Sequence, residues 1–296
     1  MYGFQDLASQ QQQRFWYYQG SVSGSFQTWN KPPGISFINI ICIGGAGGGG
    51  GGSARRPSVS TIGATGGATG AMTAVTLPSF GVPDTLYILP GYGGTGGTGG
   101  LSGSAAGGLG TIGTSGTPSY VCFYPNTSSG YVLSVANGGG GGIQGQAGNS
   151  AAAIGAGAAS TAYPISQFGL RFSINGTNYL ASGGATVNAV FRVMPGGGNP
   201  SIISTPNVGG TLNPAGELFQ SIAGGATEGA TGAGGIIDLQ RFISYGGTAG
   251  YSSVTQNGGP SGNGGPGSGG AGGAYGFQTG SNGGQGGDGF VIITCG

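Results

Sequence analysis

The sequence predicts an all-β fold: an antiparallel β-sandwich or barrel with interleaved polyglycine-II rods and almost no α-helix. The first observation behind this is a unit in which an apolar strand runs into a glycine run, as in ISFINIICIGGAGGGGGG at 35–52. The unit recurs at 86–100 and 131–142, and at 283–295 the order is reversed. The second observation is that 77 of the 296 residues are glycine, whereas an average protein has roughly 7%.

The overall composition indicates a folded chain. Charged residues make up 4% and hydrophobic residues 36%, whereas disordered chains combine low hydrophobicity with high charge. Ordering so much glycine is entropically costly, so a regular structural use of the glycine is expected. The net charge is +1 and no basic stripe is present, which argues against nucleic-acid binding through phosphates.

The cysteines, the first residues and the length of the apolar runs narrow the class of protein further. Cys42, Cys122 and Cys295 each lie within an apolar strand pattern, which favours buried free thiols over a disulfide framework. The start MYGFQDLASQ has neither a basic nor an apolar signal region, so no secretory signal is expected. No apolar run reaches about 18 residues, so no membrane insertion is expected.

Short runs of β-branched and aromatic residues bounded by Gly or Pro predict the strands. A polar turn at 126–130 predicts one hairpin, and Asn175-Gly176 predicts another. The segment 236–245 is either a strand or a short helix. The predicted strands, in order, are 35–43, 71–77, 85–89, 120–124, 131–135, 169–174, 179–181, 187–194 and 290–294.

Residues 1–34 are predicted to form an N-terminal docking arm, ahead of a glycine-rich β/polyglycine-II domain at 35–296. The segment FQDLASQQQQRFWYYQ fits a short helix or an extended arm. Four consecutive aromatic residues cannot all face one core, so some are expected to contact a neighbouring chain or layer. A terminal strand that covers its own domain is the alternative. The docking candidates are Phe15, Trp16, Tyr17, Tyr18 and Trp29.

Between the strands, several glycine runs have a period of three. In GGTGGTGGL and NGGQGGDG two positions of each triplet are glycine and the third carries a side chain. A polyproline-II-type helix has three residues per turn, so glycine faces would let such rods pack closely. Central rods are then expected to be nearly pure glycine, as at 47–52, with Thr, Asn, Gln or Asp on surface rods. Flexible linkers and ordinary glycine-rich loops are the alternatives. Four sets of residues are each spaced by three: Thr95, Thr98 and Leu101; Asn282, Gln285 and Asp288; Gly229, Gly232 and Gly235; and Gly264, Gly267, Gly270 and Gly273.

Catalytic chemistry has little support in the sequence. Six carboxylates are dispersed and no spacing brings two of them together, Glu217 and Glu228 being the least implausible pair. Histidine is absent, so no Ser–His or Cys–His nucleophile pair is available. No metal-ligand cluster appears. We therefore expect no enzyme activity, no metal and no cofactor.

Binding has more support, because four aromatic residues stand alone among glycines: Tyr92, Tyr251, Tyr275 and Phe277. At turns between rods such side chains would stack on sugar rings or fill a receptor pocket. The alternative is that each one caps the rod bundle or packs under a neighbour. They are the receptor-contact candidates.

Three segments, WNKPPGISFINIICIGGAGGGGGG, LPSFGVPDTLYILPGYGGTGG and GGQGGDGFVIIT, resemble the glycine-rich domain of many bacteriophage tail and virion proteins. The wider type includes the tail-fibre-tip adhesins of T-even-like phages, whose glycine-rich motifs form a polyglycine-II sandwich. The resemblance covers 29–294. Two features depart from it: 1–34 does not match the adhesins' docking domain for the fibre shaft, and 164–219 is less glycine-rich.

The resemblance implies a virion protein, made in the host cytoplasm, that acts as a tail-fibre or tail-tip adhesin. Its expected partners are other virion proteins, through the N-terminal arm, and a host surface glycan or outer-membrane protein; a homo-oligomer is also compatible with it. The alternative is a capsid decoration or cement protein, or another assembly protein, without receptor binding. A third hypothesis, an ice-binding or extracellular-matrix protein, depends on the edge formed by Thr95 and Thr98.

Overall fold

The structure is a computed structural model, and it describes residues 12–18, 24–54, 61–62, 64–101, 108–145, 162–164, 192–193, 196, 202–203, 224–227, 230–235, 237–238, 243–253 and 255–296. These residues contain no α-helix, only two 3-10 turns at Ser79–Gly81 and Ser129–Tyr131. The strands are β1 (Gln13–Tyr18), β2 (Gln27–Asn30), β3 (Phe37–Ile43), β4 (Thr61–Ile62), β5 (Met72–Pro78), β6 (Thr85–Leu89), β7 (Ser119–Cys122), β8 (Val132–Ala136), β9 (Ala162–Pro164), β10 (Arg192–Val193), β11 (Ile202–Ile203), β12 (Ile237–Asp238), β13 (Ile243–Ser244) and β14 (Phe290–Cys295).

Two antiparallel sheets face each other in a sandwich-like arrangement. One has four strands in the order β1-β14-β3-β5, and the other has five in the order β2-β6-β7-β8-β9. Among the described strands, β4 pairs with β11, and β13 pairs with β12 and, in parallel, with β10. The fold is therefore all-β as predicted, and of the two predicted architectures the sandwich is the one formed, without a closed barrel.

The sandwich core is built by alternate residues, because successive side chains of a strand point to opposite faces. From β3, Ile38, Ile40 and Cys42 face the second sheet and are fully buried. Burying such side chains stabilises the fold by about 1.5–3 kcal/mol each. The buried members of this cluster are Trp29, Ile38, Ile40, Cys42, Val75, Leu77, Val82, Leu86, Ile88, Val121, Leu133, Ala136, Val291, Ile293 and Cys295.

Most predicted strands coincide with observed ones. The strand 85–89 is Thr85–Leu89, and the pattern at 120–135 is the antiparallel hairpin β7–β8. The ambiguous segment 236–245 contains two short antiparallel strands, β12 and β13. The Asn175-Gly176 hairpin, with its strands 169–174 and 179–181, lies outside the described residues, as does all of 187–194 except β10.

The chain leaves β3 as a glycine rod, the central rod 44–54, which is enclosed by six other rods. Its N–H groups donate in a period of three to rods 64–71, 110–117 and 280–288, which all run antiparallel to it. Its carbonyl oxygens accept from rods 91–100, 138–145 and 267–274, which run parallel to it. The donor–acceptor pairs of the first set are Gly44–Ala71, Gly47–Ala68 and Gly50–Thr65; Gly45–Thr117, Gly48–Thr114 and Gly51–Thr111; and Ala46–Gly287, Gly49–Gly284 and Gly52–Ser281.

The six outer rods also bond to one another and close a ring around the central rod. Neighbours in the ring are joined by N–H···O bonds of 2.7–3.0 Å. The runs are therefore hydrogen-bonded rods with three residues per turn, and the interpretation as flexible linkers does not hold for them. The joining bonds, donor first, are Thr111–Thr98, Gly113–Gly142, Thr65–Ile143, Gly67–Gly270, Gly284–Ala271 and Gly286–Gly94.

One predicted frame does not form a single rod. The glycines at 264, 267, 270 and 273 were grouped by their spacing, but the chain turns at Pro266 and Gly267. Gly267 has φ +68°, a left-handed conformation that glycine adopts without strain. The segments on either side form two adjacent rods, 257–265 and 267–274, joined by the bond from Ala271 N to Gly262 O at 3.0 Å.

Five of the six rods of the ring connect to a sandwich strand at the same end, as the central rod does, and rod 267–274 begins at that end from the turn at Pro266 and Gly267. β3, β6 and β8 run directly into rods, and β5, β7 and β14 are entered from rods. The central rod, at about 3.1 Å per residue, extends about 30 Å from the end of β3. We call its free end the tip, defined by Ala54, Leu101, Gly108 and 275–279. The turns at 79–84 and 123–131 lie at the opposite end of the sandwich, which we call the base.

Candidate functional site

Exposed apolar side chains lie at both ends of the molecule. At or next to the tip, Phe277 is 43% exposed and Leu101 is 60% exposed. The N–H of Phe277 donates to Gln256 O at 2.7 Å, and Leu101 bridges Thr279, so the backbone is fixed while the side chains face solvent. At the base, Phe80 is 89% exposed and Tyr124 is 62% exposed. Exposed aromatic residues of this kind can contact partners.

Of the four predicted receptor contacts, only Phe277 lies exposed at the tip. Tyr275 is fully buried, so its side chain cannot contact a receptor, and that prediction is corrected. Tyr92 is half-buried where the sandwich meets the rods, and its hydroxyl accepts from Gly24 N. Tyr251 is half-buried within a rod and is bonded through its backbone to Ala230 and Gly259.

The predicted docking aromatics belong to the two sheets. Phe15 and Tyr17 pack against the core, whereas Trp16 and Tyr18 lie on the outer face of the sheet, as strand alternation requires. Trp29 is 1% exposed and contacts Phe15 edge-on at 6.2 Å. Trp29 is therefore a core residue of this chain and is unavailable to a partner. The boundary at residue 34 and a docking role for the arm stay predictions.

A groove of about 410 Å³ lies on the side of the molecule, where the four-stranded sheet meets the rods. Its floor is formed by three adjacent rods, 91–100, 280–288 and 257–265, and Tyr18 stands at its sandwich side. Tyr18 is 42% exposed and is held by ring contacts to Trp16 at 6.3 Å and Phe290 at 5.7 Å. The lining residues are Tyr18, Gly93, Gly94, Thr95, Asn263, Gly264, Pro266, Gln285, Gly286, Gly287 and Asp288.

The polar side chains of the groove are anchored to the rods. One carboxylate oxygen of Asp288 accepts from Gly93 N at 2.8 Å, and the amide oxygen of Asn263 accepts from Gln285 N at 2.9 Å. These side chains satisfy outward N–H groups that have no further rod to pair with. Rod-edge polar residues were predicted for Asp288 and Gln285, and the structure adds Asn263. Burial raises the pKa of the Tyr18 hydroxyl, so this hydroxyl stays protonated at neutral pH.

Threonine residues form a ladder on the outside of two neighbouring rods. The hydroxyls of Thr95 and Thr114 are 3.1 Å apart, as are those of Thr98 and Thr111. The Thr114 and Thr111 hydroxyls also accept from the backbone N–H of Thr95 and Thr98. The sequence showed only Thr95 and Thr98 in one frame; their partners come from a rod whose spacing had not been recognised.

Sequence reasoning missed the junction between sandwich and rods. The hydroxyl of Ser119 donates to Ile43 O at 2.6 Å and accepts from Gly91 N at 2.8 Å. Ser119 is fully buried, and it links the start of β7 to the end of β3 and to the start of rod 91–100. A single serine before a short strand gives no recognisable signal, because serine is also common in turns.

The three cysteines are free and buried, as predicted. Burial raises the pKa of the Cys42 thiol and raises that of Cys122 to about 12. In the described part of the chain, no group of three or more His, Cys, Asp or Glu side chains could hold a metal ion. A search of the same residues finds no helix of the length and hydrophobicity needed to span a bilayer.

The fold and its surface define a class of protein: a glycine-rich all-β protein in which a sandwich carries a bundle of polyglycine-II rods. The chain belongs to the glycine-rich domain family, whose sequence model matches residues 20–296. A search of curated proteins finds no match to this chain.

Proposed function

We propose that this chain is a structural protein of a bacteriophage virion and acts as a tail-fibre or tail-tip adhesin that binds the host cell surface. The observation that carries the proposal is the two-ended architecture. A hydrogen-bonded rod bundle extends about 30 Å from one end of the sandwich, and exposed Phe277 and Leu101 lie at its tip. The resemblance of three sequence segments to the glycine-rich domains of virion proteins also supports it.

A rigid bundle suits receptor binding, because residues held in place before binding lose little conformational entropy on binding. The seven rods around and including 44–54 are joined by backbone bonds in all directions across the bundle. Turns between rods can change in sequence without changing these bonds. In this proposal, side chains at the tip can be exchanged while their backbone support stays fixed.

The base offers a docking surface for the particle. Phe80, Tyr124 and Tyr131 are exposed there, and Tyr124 and Tyr131 contact each other edge-on at 5.5 Å. In this proposal the sandwich base faces other virion proteins and the tip faces the host. The same three exposed aromatics favour the second candidate, a capsid decoration or cement protein that needs no receptor.

Cryo-electron microscopy of the assembled particle would separate the two candidates. We expect the chain at the distal end of a fibre or tail, with 275–279 pointing outward. A position on the capsid shell or inside a tail collar would overturn the adhesin proposal and favour the decoration protein.

A matched pair of variants tests the roles of the two ends. Phe277→Ala particles are expected to carry the protein normally but to adsorb to host cells at least about tenfold more slowly, because exposed aromatic anchors contribute strongly to interfaces. Phe80→Ala, at the base, should leave adsorption per assembled particle unchanged and lower incorporation instead. Adsorption of Phe277→Ala particles at the wild-type rate would contradict a receptor role for the tip.

A further inference from the structure

We propose that the lateral groove between Tyr18 and Asp288 is a binding site for an uncharged saccharide. The inference deepens the proposed function, since it gives the adhesin a second, glycan-binding surface away from the tip. A volume of about 410 Å³ lies within the range of small-molecule sites. The groove is open along the rods, so one or two sugar rings of a longer glycan can lie in it.

The lining chemistry matches a sugar ring. Tyr18 presents a partly exposed aromatic ring, and aromatic rings stack against the C–H face of a pyranose. Asn263, Gln285 and Thr95 supply amide and hydroxyl groups that can donate to and accept from sugar hydroxyls. Asp288 supplies a carboxylate, and hydrogen bonds to an ionised acceptor are roughly twice as strong as neutral ones.

The charge of the groove excludes acidic ligands. Asp288 is the one acidic residue of the described lining, and none of the lining residues is a lysine or an arginine. A uronic acid, a sialic acid or a phosphate would meet a carboxylate without a compensating Arg or Lys. The structure therefore points to neutral hexoses or amino-sugar derivatives without free charge.

The site is preorganised. The Asp288 and Asn263 side chains are fixed by bonds to Gly93 N and Gln285 N, and Tyr18 is fixed by its ring contacts. Five glycines of the closely packed rods, at 93, 94, 264, 286 and 287, form a floor of rod backbone beneath these side chains. Weak sugar contacts gain from such an arrangement, because little entropy remains to be lost on binding.

Direct binding of the purified full chain tests the proposal. The probe is a printed array of bacterial O-antigen and capsular oligosaccharides of known composition, with titration calorimetry of the highest-ranked neutral glycan. We expect neutral glycans to bind and those containing uronate, sialate or phosphate to remain unbound. No binding to any neutral glycan at millimolar concentration would overturn the proposal.

Two variants and a control place the binding in the groove. Asp288→Asn keeps an oxygen for Gly93 N–H but replaces the second acceptor oxygen, so affinity should fall about tenfold with an unchanged melting temperature. Tyr18→Ala should abolish binding, whereas Tyr18→Phe, which keeps the ring, should retain most of it. Tyr124→Ala removes an exposed aromatic from the base and should bind as the wild type does. Wild-type affinity in both Asp288→Asn and Tyr18→Ala would show that the sugar binds elsewhere.

The outcomes also separate this proposal from the adhesin. Glycan binding by a chain located on the capsid shell would support the glycan-binding proposal and overturn the adhesin proposal. Slow adsorption of Phe277→Ala particles together with no glycan binding would support the adhesin proposal and overturn the glycan-binding proposal.

Discussion

Gly48 lies in the middle of the central rod, with all of its backbone polar groups in use. Its N–H donates to Thr114 O at 3.0 Å, and its carbonyl accepts from Gly142 N at 2.8 Å. A Cβ at this position would overlap the carbonyl oxygen of Thr95. That oxygen belongs to the backbone of rod 91–100, so it cannot move without displacing the whole rod.

We therefore expect Gly48→Ala to lower the free energy of unfolding by more than about 3 kcal/mol, at or above the upper end for overpacking. Thermal unfolding followed by circular dichroism measures the change. Gly81→Ala is the control, because a Cβ at Gly81 meets no atom within 4 Å and Gly81 is not among the glycines with positive φ. A shift as small in Gly48→Ala as in Gly81→Ala would contradict the close packing of the rods.

Single residues also show what the sequence could predict. Gly47 to Gly52 were expected at the centre of a bundle because a rod with neighbours on every side has no room for side chains, and they are there. Tyr275 was a receptor-contact candidate because it stands among glycines, with packing under a neighbour as the alternative, and it is buried. Isolation in the sequence says little about burial when the surrounding glycines are themselves in the interior of a bundle.

Ser119 shows how a single hydroxyl can hold two kinds of element together. The end of β3 and the start of rod 91–100 are too far along the chain from β7 to be joined by local structure, being 76 and 28 residues away respectively. Without this hydroxyl, the carbonyl of Ile43 and the N–H of Gly91 would lose a partner in a buried place. Unpaired buried polar groups destabilise proteins by about 1–3 kcal/mol each.

We expect Ser119→Ala to lower the free energy of unfolding by about 1–3 kcal/mol, measured by denaturant titration. The matched control is Ser134→Ala, on the adjacent strand β8. Ser134 is equally buried, but its hydroxyl has no hydrogen-bond partner among the described residues, so its loss breaks no hydrogen bond and should not lower the free energy of unfolding. Equal effects in the two variants would show that Ser119 does not link the elements.

The elements themselves were largely readable from the sequence. Strands such as Thr85–Leu89 and the hairpin β7–β8 follow from alternation, β-branched residues and bounding turns. The pairing order β1-β14-β3-β5 was not readable, because it joins the first and last described strands. The groove was missed for the same reason: its lining comes from four segments between Tyr18 and Asp288 that only the tertiary structure brings together.

Strands and rods alternate along the chain, which ties the sandwich and the bundle into one structure. β3 and β5 are separated by rods 44–54 and 64–71, and β6 and β7 are separated by rods 91–100 and 110–117. None of the hydrophobic clusters found among the described residues includes a rod residue, and the stability of the rods depends on hydrogen bonds aligned by the strands. The strands, in turn, are positioned in register by rods bonded on every side.

We therefore expect the sandwich and the bundle to unfold together in a single cooperative transition. Both tryptophans of the chain, Trp16 and Trp29, lie in the sandwich, so their fluorescence reports on the sandwich alone. Far-ultraviolet circular dichroism of the polyproline-II type reports on the rods. The two signals should change at the same denaturant concentration, which is the usual test of two-state behaviour.

Gly48→Ala should shift both midpoints equally, although the substitution lies only in the bundle. Separate transitions, with the rod signal lost first, would show that the sandwich is an independent domain and that the bundle is an appendage of it.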